Sequence, residues 1–195
     1  QRVWFMKNSM DRRSFYHIKD SQYTNFLDIM KEYSDTFGQS VALSLKTKDG
    51  YKELTYIELK RLAKTLGNYL MENADVQRGD RIAILSESRP EFGIGMFGSI
   101  QTGAISVPLD IKLTIAEHTH ILSDCNPKVL LCSSHYLDHA LELKKNVSSI
   151  QNIFVLDEEK NEHPEIMNVF QMRADLSYSF KRARSMDETA LIVYT

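Results

Sequence analysis

The stretch RGDRIAILSESRPEFGIGMFGSIQTGAISVPLD, residues 78–110, decides the fold predicted for this chain. The apolar run at 81–86 predicts a short strand that is covered on both faces. A helical pattern follows at 89–102, and a second strand is predicted at 104–110. A strand, a helix and a strand in this order predict two parallel strands joined by a crossover helix.

The same alternation continues towards the carboxyl terminus. Helices predicted at 114–124 and 135–146 separate further strands predicted at 128–133 and 152–157. The series predicts an α/β fold, a parallel sheet flanked by helices. An apolar run at 189–195 predicts one more strand at the end of the chain.

Two segments between these last strands are polar. The stretch 157–165 predicts a solvated loop. The basic run at 181–184 predicts an exposed helix end or linker, because a run of only four residues, three of them basic, is too short to indicate a nucleic-acid surface.

The residues that precede 78–110 predict a helical segment and a hairpin. Within the leading segment 1–40, apolar residues at helical spacing predict a helix over 22–38 that ends at Gly38. Strands are predicted at 41–45 and 51–55, on either side of the turn signal Lys48-Asp49-Gly50.

The clearest amphipathic helix in the chain follows the hairpin. Thr55 and Glu58 have the spacing of a capping box, in which each residue satisfies a free backbone N–H at the helix start. Leucine and alanine then recur at helical spacing, which predicts one apolar face; these residues are Leu59, Leu62, Ala63, Leu66 and Leu70.

The glycines Gly93, Gly95 and Gly98 match the spacing of a dinucleotide-binding fingerprint. A fingerprint needs its first glycine in the turn directly after the strand, where the pyrophosphate meets the start of the helix. Here Ser88 and Pro90 are typical of a helix start, so the helix begins near Ser88 and all three glycines lie inside it. We interpret them as positions of close packing. In the alternative interpretation the chain is an NAD-binding domain, and Asp110 would bind the ribose of the cofactor.

The composition is that of an ordinary globular protein, with 43% hydrophobic and 26% charged residues among 195. Lysine and arginine number 24 against 26 aspartate and glutamate, so the net charge of −2 gives no indication of a nucleic-acid partner. No apolar run approaches the ~20 residues of a membrane-spanning helix. The first residue is Gln1, which favours an excised piece of a longer protein. We expect a cytoplasmic location.

Candidate metal and nucleophile positions are few. Cys132, His135 and His139 have helical spacing, and Cys125 would complete four zinc ligands, but no Cys-x-x-Cys pair supports such a site. We expect two buried thiols, with no disulfide and no metal. Two further histidines, His118 and His120, are expected to face solvent or to cap a helix.

Glycine is absent from residues 104–195, since all eight glycines lie at or before Gly103. A loop that wraps phosphates in backbone N–H groups normally needs glycine. If the protein binds a nucleotide, we therefore expect its phosphate loop to lie outside this chain.

Five blocks, in order and at matching spacing, resemble the AMP-forming acyl-CoA synthetases of the adenylate-forming superfamily, which also includes luciferases and nonribosomal adenylation domains. Leu-Thr-Tyr-x-Glu-Leu and Gly-Ala-x-x-x-Pro are typical of that family, and the final Tyr194-Thr195 resembles the start of its phosphate loop. The blocks are LTYIELKRLAKTLGNYL (54–70), RGDRIAILSESRPEF (78–92), GSIQTGAISVPLD (98–110), ILSDCNPKVLLCS (121–133) and DETALIVYT (187–195).

The resemblance implies that residues 1–195 are the front part of the large N-terminal, AMP-binding domain of such an enzyme. It implies ATP, Mg²⁺ and CoA as its cofactors and substrates, with Thr195 as the first hydroxyl of the phosphate loop. No catalytic residue would lie in the chain, which we expect to be inactive alone.

The run Ser88-Arg89-Pro90-Glu91-Phe92 resembles the Asn-Arg-Pro-Glu-Trp run of the long-chain fatty-acid branch, with two departures. This resemblance implies a long-chain fatty acid as substrate, which would be consistent with peripheral association with a membrane. Two alternatives to a ligase stay open at this point: the NAD-binding domain and a scaffold module without catalysis.

Overall fold

The structure, a computed structural model, describes residue 23 and residues 25–157, 163, 166–173, 185 and 187–195. The predicted basic run at 181–184 and most of the predicted loop at 157–165 lie outside the described residues.

The leading helix and the hairpin form as the sequence predicts. Helix α1 spans Phe26–Phe37, and the side chain of Asn25 accepts hydrogen bonds from two backbone N–H groups of its first turn. The helix ends at Gly38, whose φ of +20° suits glycine. Strands β1 (Val41–Thr47) and β2 (Gly50–Thr55) then pair antiparallel.

Helix α2 spans Tyr56–Asn73 and begins with the predicted capping box. The Thr55 N–H donates to Glu58 Oε2 at 2.9 Å, and the Glu58 N–H donates to Thr55 Oγ1 at 3.3 Å. The predicted apolar face is buried along the whole helix, at Leu59, Leu62, Ala63, Leu66 and Leu70.

A four-stranded parallel sheet follows, as predicted. Its strands lie in the order β4-β3-β5-β6, and each pairs in parallel with its neighbours. The elements are β3 (Arg81–Leu85), α3 (Pro90–Gln101), β4 (Ile105–Pro108), α4 (Ile115–Cys125), β5 (Val129–Cys132), a 3-10 helix (Ser134–Tyr136), α5 (Leu137–Asn146) and β6 (Asn152–Val155).

Each face of this sheet is covered by helices. Because side chains alternate along a strand, Ile82 and Ile84 belong to one buried cluster, with residues of α2 and α3. Ala83 and Leu85 belong to the other, with residues of α4 and α5. Burial on both faces explains why the strands read as continuous apolar runs.

The segment predicted as a strand at 189–195 makes only an isolated parallel bridge, between Leu191 and Ser106 on the outer edge of β4. Ser106 N donates to Ala190 O at 2.9 Å, and Ile192 N donates to Ser106 O at 3.0 Å. The next donor on this side of β4 would be Pro108, which has no N–H. The ladder therefore stops after one residue, and the prediction of a full strand is wrong.

Candidate functional site

The carboxyl ends of the four parallel strands meet at one edge of the sheet. The connection after β3 runs to one side and the connection after β5 runs to the other, so the topological switch point lies between these two strands. In open α/β sheets ligands bind outside the carboxyl ends of the strands at such a point. The residues that follow the strands are therefore the first candidates for a site.

A buried ion network lies at this edge. Arg89 at the start of α3 donates through Nε to Glu91 at 3.1 Å and through Nη1 to Asp157 at 3.0 Å. Asp157 Oδ2 also accepts from the backbone N–H of Ser134 at 3.0 Å. Lys52 of the hairpin pairs with the remaining oxygen of Glu91. Both carboxylates are fully buried, and 11% of the Arg89 side chain is exposed.

Among the described residues, the network balances two cations against two carboxylates and joins four parts of the fold. These parts are β2, the first turn of α3, the 3-10 helix after β5 and the chain after β6. A buried charge is tolerated when it is paired and hydrogen-bonded. We assign the network a structural role, since its charges are directed at each other.

The three glycines of the fingerprint pattern lie inside α3, as predicted, and their surroundings explain them. A Cβ on Gly98 would lie 2.9 Å from Leu66 Cδ2 and 3.1 Å from the carbonyl oxygen of Ala63. A Cβ on Gly95 would lie 3.0 Å from Leu156 Cδ2. The glycines therefore let α3 approach α2 and the sheet, and this geometry does not favour an NAD site.

The predicted cap of α3 is off by one residue. The capping position is Arg89, with Pro90 as the first helical residue, and the Arg89 side chain accepts no hydrogen bond from a backbone N–H of the first turn. Arg89 occupies this position because its guanidinium is held by Asp157 and Glu91, while Ser88 is exposed.

The prediction that His118 faces solvent or caps a helix is wrong. Its side chain is fully buried between α4 and α5. Nε2 of His118 lies 2.9 Å from the backbone oxygen of Asp110, and Nδ1 lies 3.1 Å from Nε2 of His139. His120, two residues on, is exposed as predicted.

The zinc alternative finds no support in the described part of the chain, where no group of three or more His, Cys, Asp or Glu residues could hold a metal ion. Cys125 and Cys132 are free and buried, as predicted. Burial raises the pKa of both thiols, so neither is a thiolate nucleophile at neutral pH.

The last residues of the chain run beside β4. The Tyr194 hydroxyl donates to Asp124 at 2.5 Å, and this hydrogen bond is the main reason that the pKa of Tyr194 is raised. Thr195 follows and is exposed. Among the described residues, no hydrogen bond or ion pair links Thr195 to the ion network or the histidine pair.

The family model described as AMP-binding enzyme matches residues 30–195. The chain belongs to the AMP-binding enzyme family. The match covers the sheet and most of α1, together with the last residues Tyr194 and Thr195.

A curated relative resembles the chain over most of its length. A crotonobetaine/carnitine–CoA ligase of Salmonella paratyphi A is 23% identical over 175 residues, which cover 88% of this chain and 34% of the ligase. The chain thus spans about a third of the length of the curated relatives it matches.

Solved structures share the fold. An anthranilate CoA ligase in complex with anthranoyl-AMP superposes with a TM-score of 0.64 and 26% identity, over 75% of this chain and 27% of that chain. The N-terminal domain of FACL13 from Mycobacterium tuberculosis superposes with a TM-score of 0.70 and 18% identity, over 89% and 42%. The α/β fold is therefore that of the N-terminal domain of adenylate-forming enzymes.

No helix within the described residues is both long and apolar enough to cross a membrane.

Proposed function

We propose that the protein to which this chain belongs is an acid–thiol ligase, which activates a carboxylic acid with ATP and transfers the acyl group to CoA. The observation that carries this proposal is the family match over residues 30–195, on a doubly wound sheet of the same fold. Two of the proteins compared above are named as CoA ligases, which supports the choice of acceptor.

The chemistry needs two displacements because a carboxylate is a poor electrophile. A carboxylate oxygen first attacks the α-phosphorus of ATP, and the bond to the departing pyrophosphate breaks. The CoA thiol then attacks the acyl carbon of the acyl-adenylate, and AMP leaves with the electron pair of the cleaved C–O bond. Both steps need donors that are directed at phosphate oxygens as charge shifts.

We propose that Thr195 supplies one of these donors, through its hydroxyl, at the start of a phosphate loop. The exposure of Thr195 and the match of the family model to the last residue of the chain support this role. The described residues contain no group of three or more His, Cys, Asp or Glu side chains that could hold the Mg²⁺ implied by the resemblance, and no step here runs through it.

We propose a long-chain fatty acid as the substrate, on the resemblance of residues 88–92 to the run of that branch. Arg89 and Glu91 hold the start of α3 through the buried ion network, so the run shapes the edge of the sheet and would not itself contact an acyl chain.

Acid-dependent exchange of pyrophosphate into ATP, measured on the longer protein that contains this chain, tests the reaction. Palmitate, butyrate, crotonobetaine and anthranilate are offered in turn, and the CoA thioester is identified by mass spectrometry. We expect exchange and thioester formation with palmitate. Exchange with crotonobetaine or anthranilate alone would support the proposed ligase reaction and contradict the proposed fatty-acid substrate.

The two alternatives give different outcomes. A folded protein that exchanges pyrophosphate with none of the four acids would contradict the ligase and favour a scaffold module. Saturable binding of NADH, detected through the cofactor's fluorescence, would favour the dinucleotide-binding alternative.

A further inference from the structure

The histidine pair joins three elements at one point. His118 lies on α4 and His139 on α5, with their rings 5.0 Å apart between centroids. The other nitrogen of His118 contacts the backbone oxygen of Asp110, two residues after β4 ends. The proposed chemistry of the ligase uses none of these groups.

The geometry fixes the protons on His118. A carbonyl oxygen can only accept, so Nε2 of His118 carries a hydrogen and donates to Asp110. In the neutral ring Nδ1 is then an acceptor, and it takes the hydrogen of His139 Nε2 across 3.1 Å. We assign the tautomers on this hydrogen-bond pattern.

The pair can hold one additional proton without losing its hydrogen bond. If either ring is charged, one of the two facing nitrogens still donates and the other accepts. A second additional proton makes both facing nitrogens donors, and two N–H groups then meet with two like charges at 3.1 Å.

We propose that the His118–His139 pair is an acid-sensitive latch. It joins α4 to α5 and fixes the residues after β4 until both rings are protonated. The latch opens because the second proton replaces an attractive contact with a repulsive one. The elements that it joins then lose the contact between the buried His118 and the half-buried His139.

The charged and titratable groups around His118 are consistent with this behaviour. Burial lowers the pKa of His118 below its ordinary 6.5, and His139 on α5 adds to the lowering. The backbone of Asp110, its carboxylate and that of Glu117 oppose the shift. Tyr136, which precedes α5, contacts the ring of His139 and is neutral in this pH range because burial and Glu87 raise its pKa.

The sign of the pH effect follows from the lowered pKa. Below about pH 6.5 the unfolded chain binds the proton before the folded protein does, so stability falls as the pH falls. One proton taken up on unfolding raises the unfolding constant by up to about tenfold per pH unit.

Urea unfolding from about pH 7.5 to about pH 5 tests the latch, with wild type, His118→Gln and His120→Gln compared. The glutamine amide at 118 can still donate to Asp110 and does not titrate. We expect the unfolding constant of His118→Gln to rise less steeply on acidification than that of wild type, by up to about tenfold per pH unit. His120→Gln changes an exposed site on the same helix, and its unfolding constant should follow that of wild type. An unchanged dependence in His118→Gln would overturn the proposal.

Histidine ¹⁵N NMR on the wild-type protein gives a second test that needs no variant. We expect a neutral His118 with its hydrogen on Nε2 and a pKa below 6.5. A hydrogen on Nδ1, or a pKa at or above 6.5, would overturn the latch.

Discussion

The Nη1 atom of Arg89 lies 3.0 Å from the Oδ2 atom of Asp157, and this pair joins the first turn of α3 to the chain that follows β6. The two residues are 68 positions apart in the sequence. The ion pair therefore connects the segments that follow β3 and β6 at the carboxyl edge of the sheet, and β5 lies between these two strands.

Replacing Arg89 by methionine should destabilise the protein by about 3–5 kcal/mol, because it leaves the buried carboxylates of Glu91 and Asp157 without their shared cation. The free energy of unfolding in urea measures the change. Lys31→Met is the control, since it removes an exposed ion pair with Asp35 and should have almost no effect. Equal stability of the Arg89 variant and wild type would contradict the structural role of the network.

Alanine substitutions in α3 should distinguish a glycine that packs against backbone from one that packs against a movable side chain. At Gly98 the added Cβ meets the backbone oxygen of Ala63, which cannot move alone, so we expect a loss of about 1–3 kcal/mol in unfolding free energy. At Gly93 the nearest atom, at 2.5 Å, is the end of the half-buried Leu43 side chain, which can turn aside. There the gain of ~1 kcal/mol in helix propensity should offset most of the cost. A larger loss at Gly93 than at Gly98 would be inconsistent with this packing.

Thr55→Ala should cost about 1 kcal/mol of unfolding free energy, because it removes the side-chain cap of α2. Thr65→Ala, in the middle of the same helix, is the matched control and should be neutral or slightly stabilising. A Thr55 variant as stable as the Thr65 variant would show that the capping box contributes nothing.

The cost of Thr55→Ala should also depend on pH. Hydrogen bonds from the backbone and hydroxyl of Thr55 lower the pKa of Glu58 below its ordinary 4.5. The associated stability is therefore present above pH 4.5 and is lost as the pH falls through the lowered value. Unfolding free energies measured at about pH 7 and about pH 3 should show a smaller difference between variant and wild type at the acid pH.

Thr195→Ala in the longer protein should lower kcat/KM for ATP about 10- to 100-fold, since a hydrogen bond to a charged group is worth about 1.5–3 kcal/mol. The exposed Thr189 gives the control, and Thr189→Ala should retain wild-type kinetics. Initial rates of acid-dependent pyrophosphate exchange over a range of ATP concentrations give both values. Equal exchange rates for the two variants would contradict the proposed role of Thr195 in binding ATP.

Most of the fold could be predicted from the sequence because its signals are local. The strands are short apolar runs, a capping box marks the start of α2, and the glycines of α3 lie inside a helix whose start is marked by Pro90. The prediction of a full strand at 189–195 is wrong because Pro108, on the strand that Leu191 contacts, lacks the N–H that a longer ladder needs, and this pairing is not visible in the local sequence.

The polar contacts of the carboxyl edge could not be predicted, because their partners are distant in the sequence. His118 appears as an ordinary polar position on α4, and its burial depends on how α5 packs against that helix. Likewise, nothing near Arg89 indicates Asp157 as its partner. The sequence does show an arginine and a glutamate on either side of Pro90. Their buried ion pairs become visible only in the structure.

A crystal structure of the longer protein with a non-hydrolysable ATP analogue tests the proposed site most directly. We predict that the triphosphate lies at the carboxyl edge of the sheet, with the Thr195 hydroxyl within hydrogen-bonding distance of a phosphate oxygen. A nucleotide bound against Gly93, Gly95 and Gly98 at the start of α3, with Thr195 remote from it, would contradict the assignment.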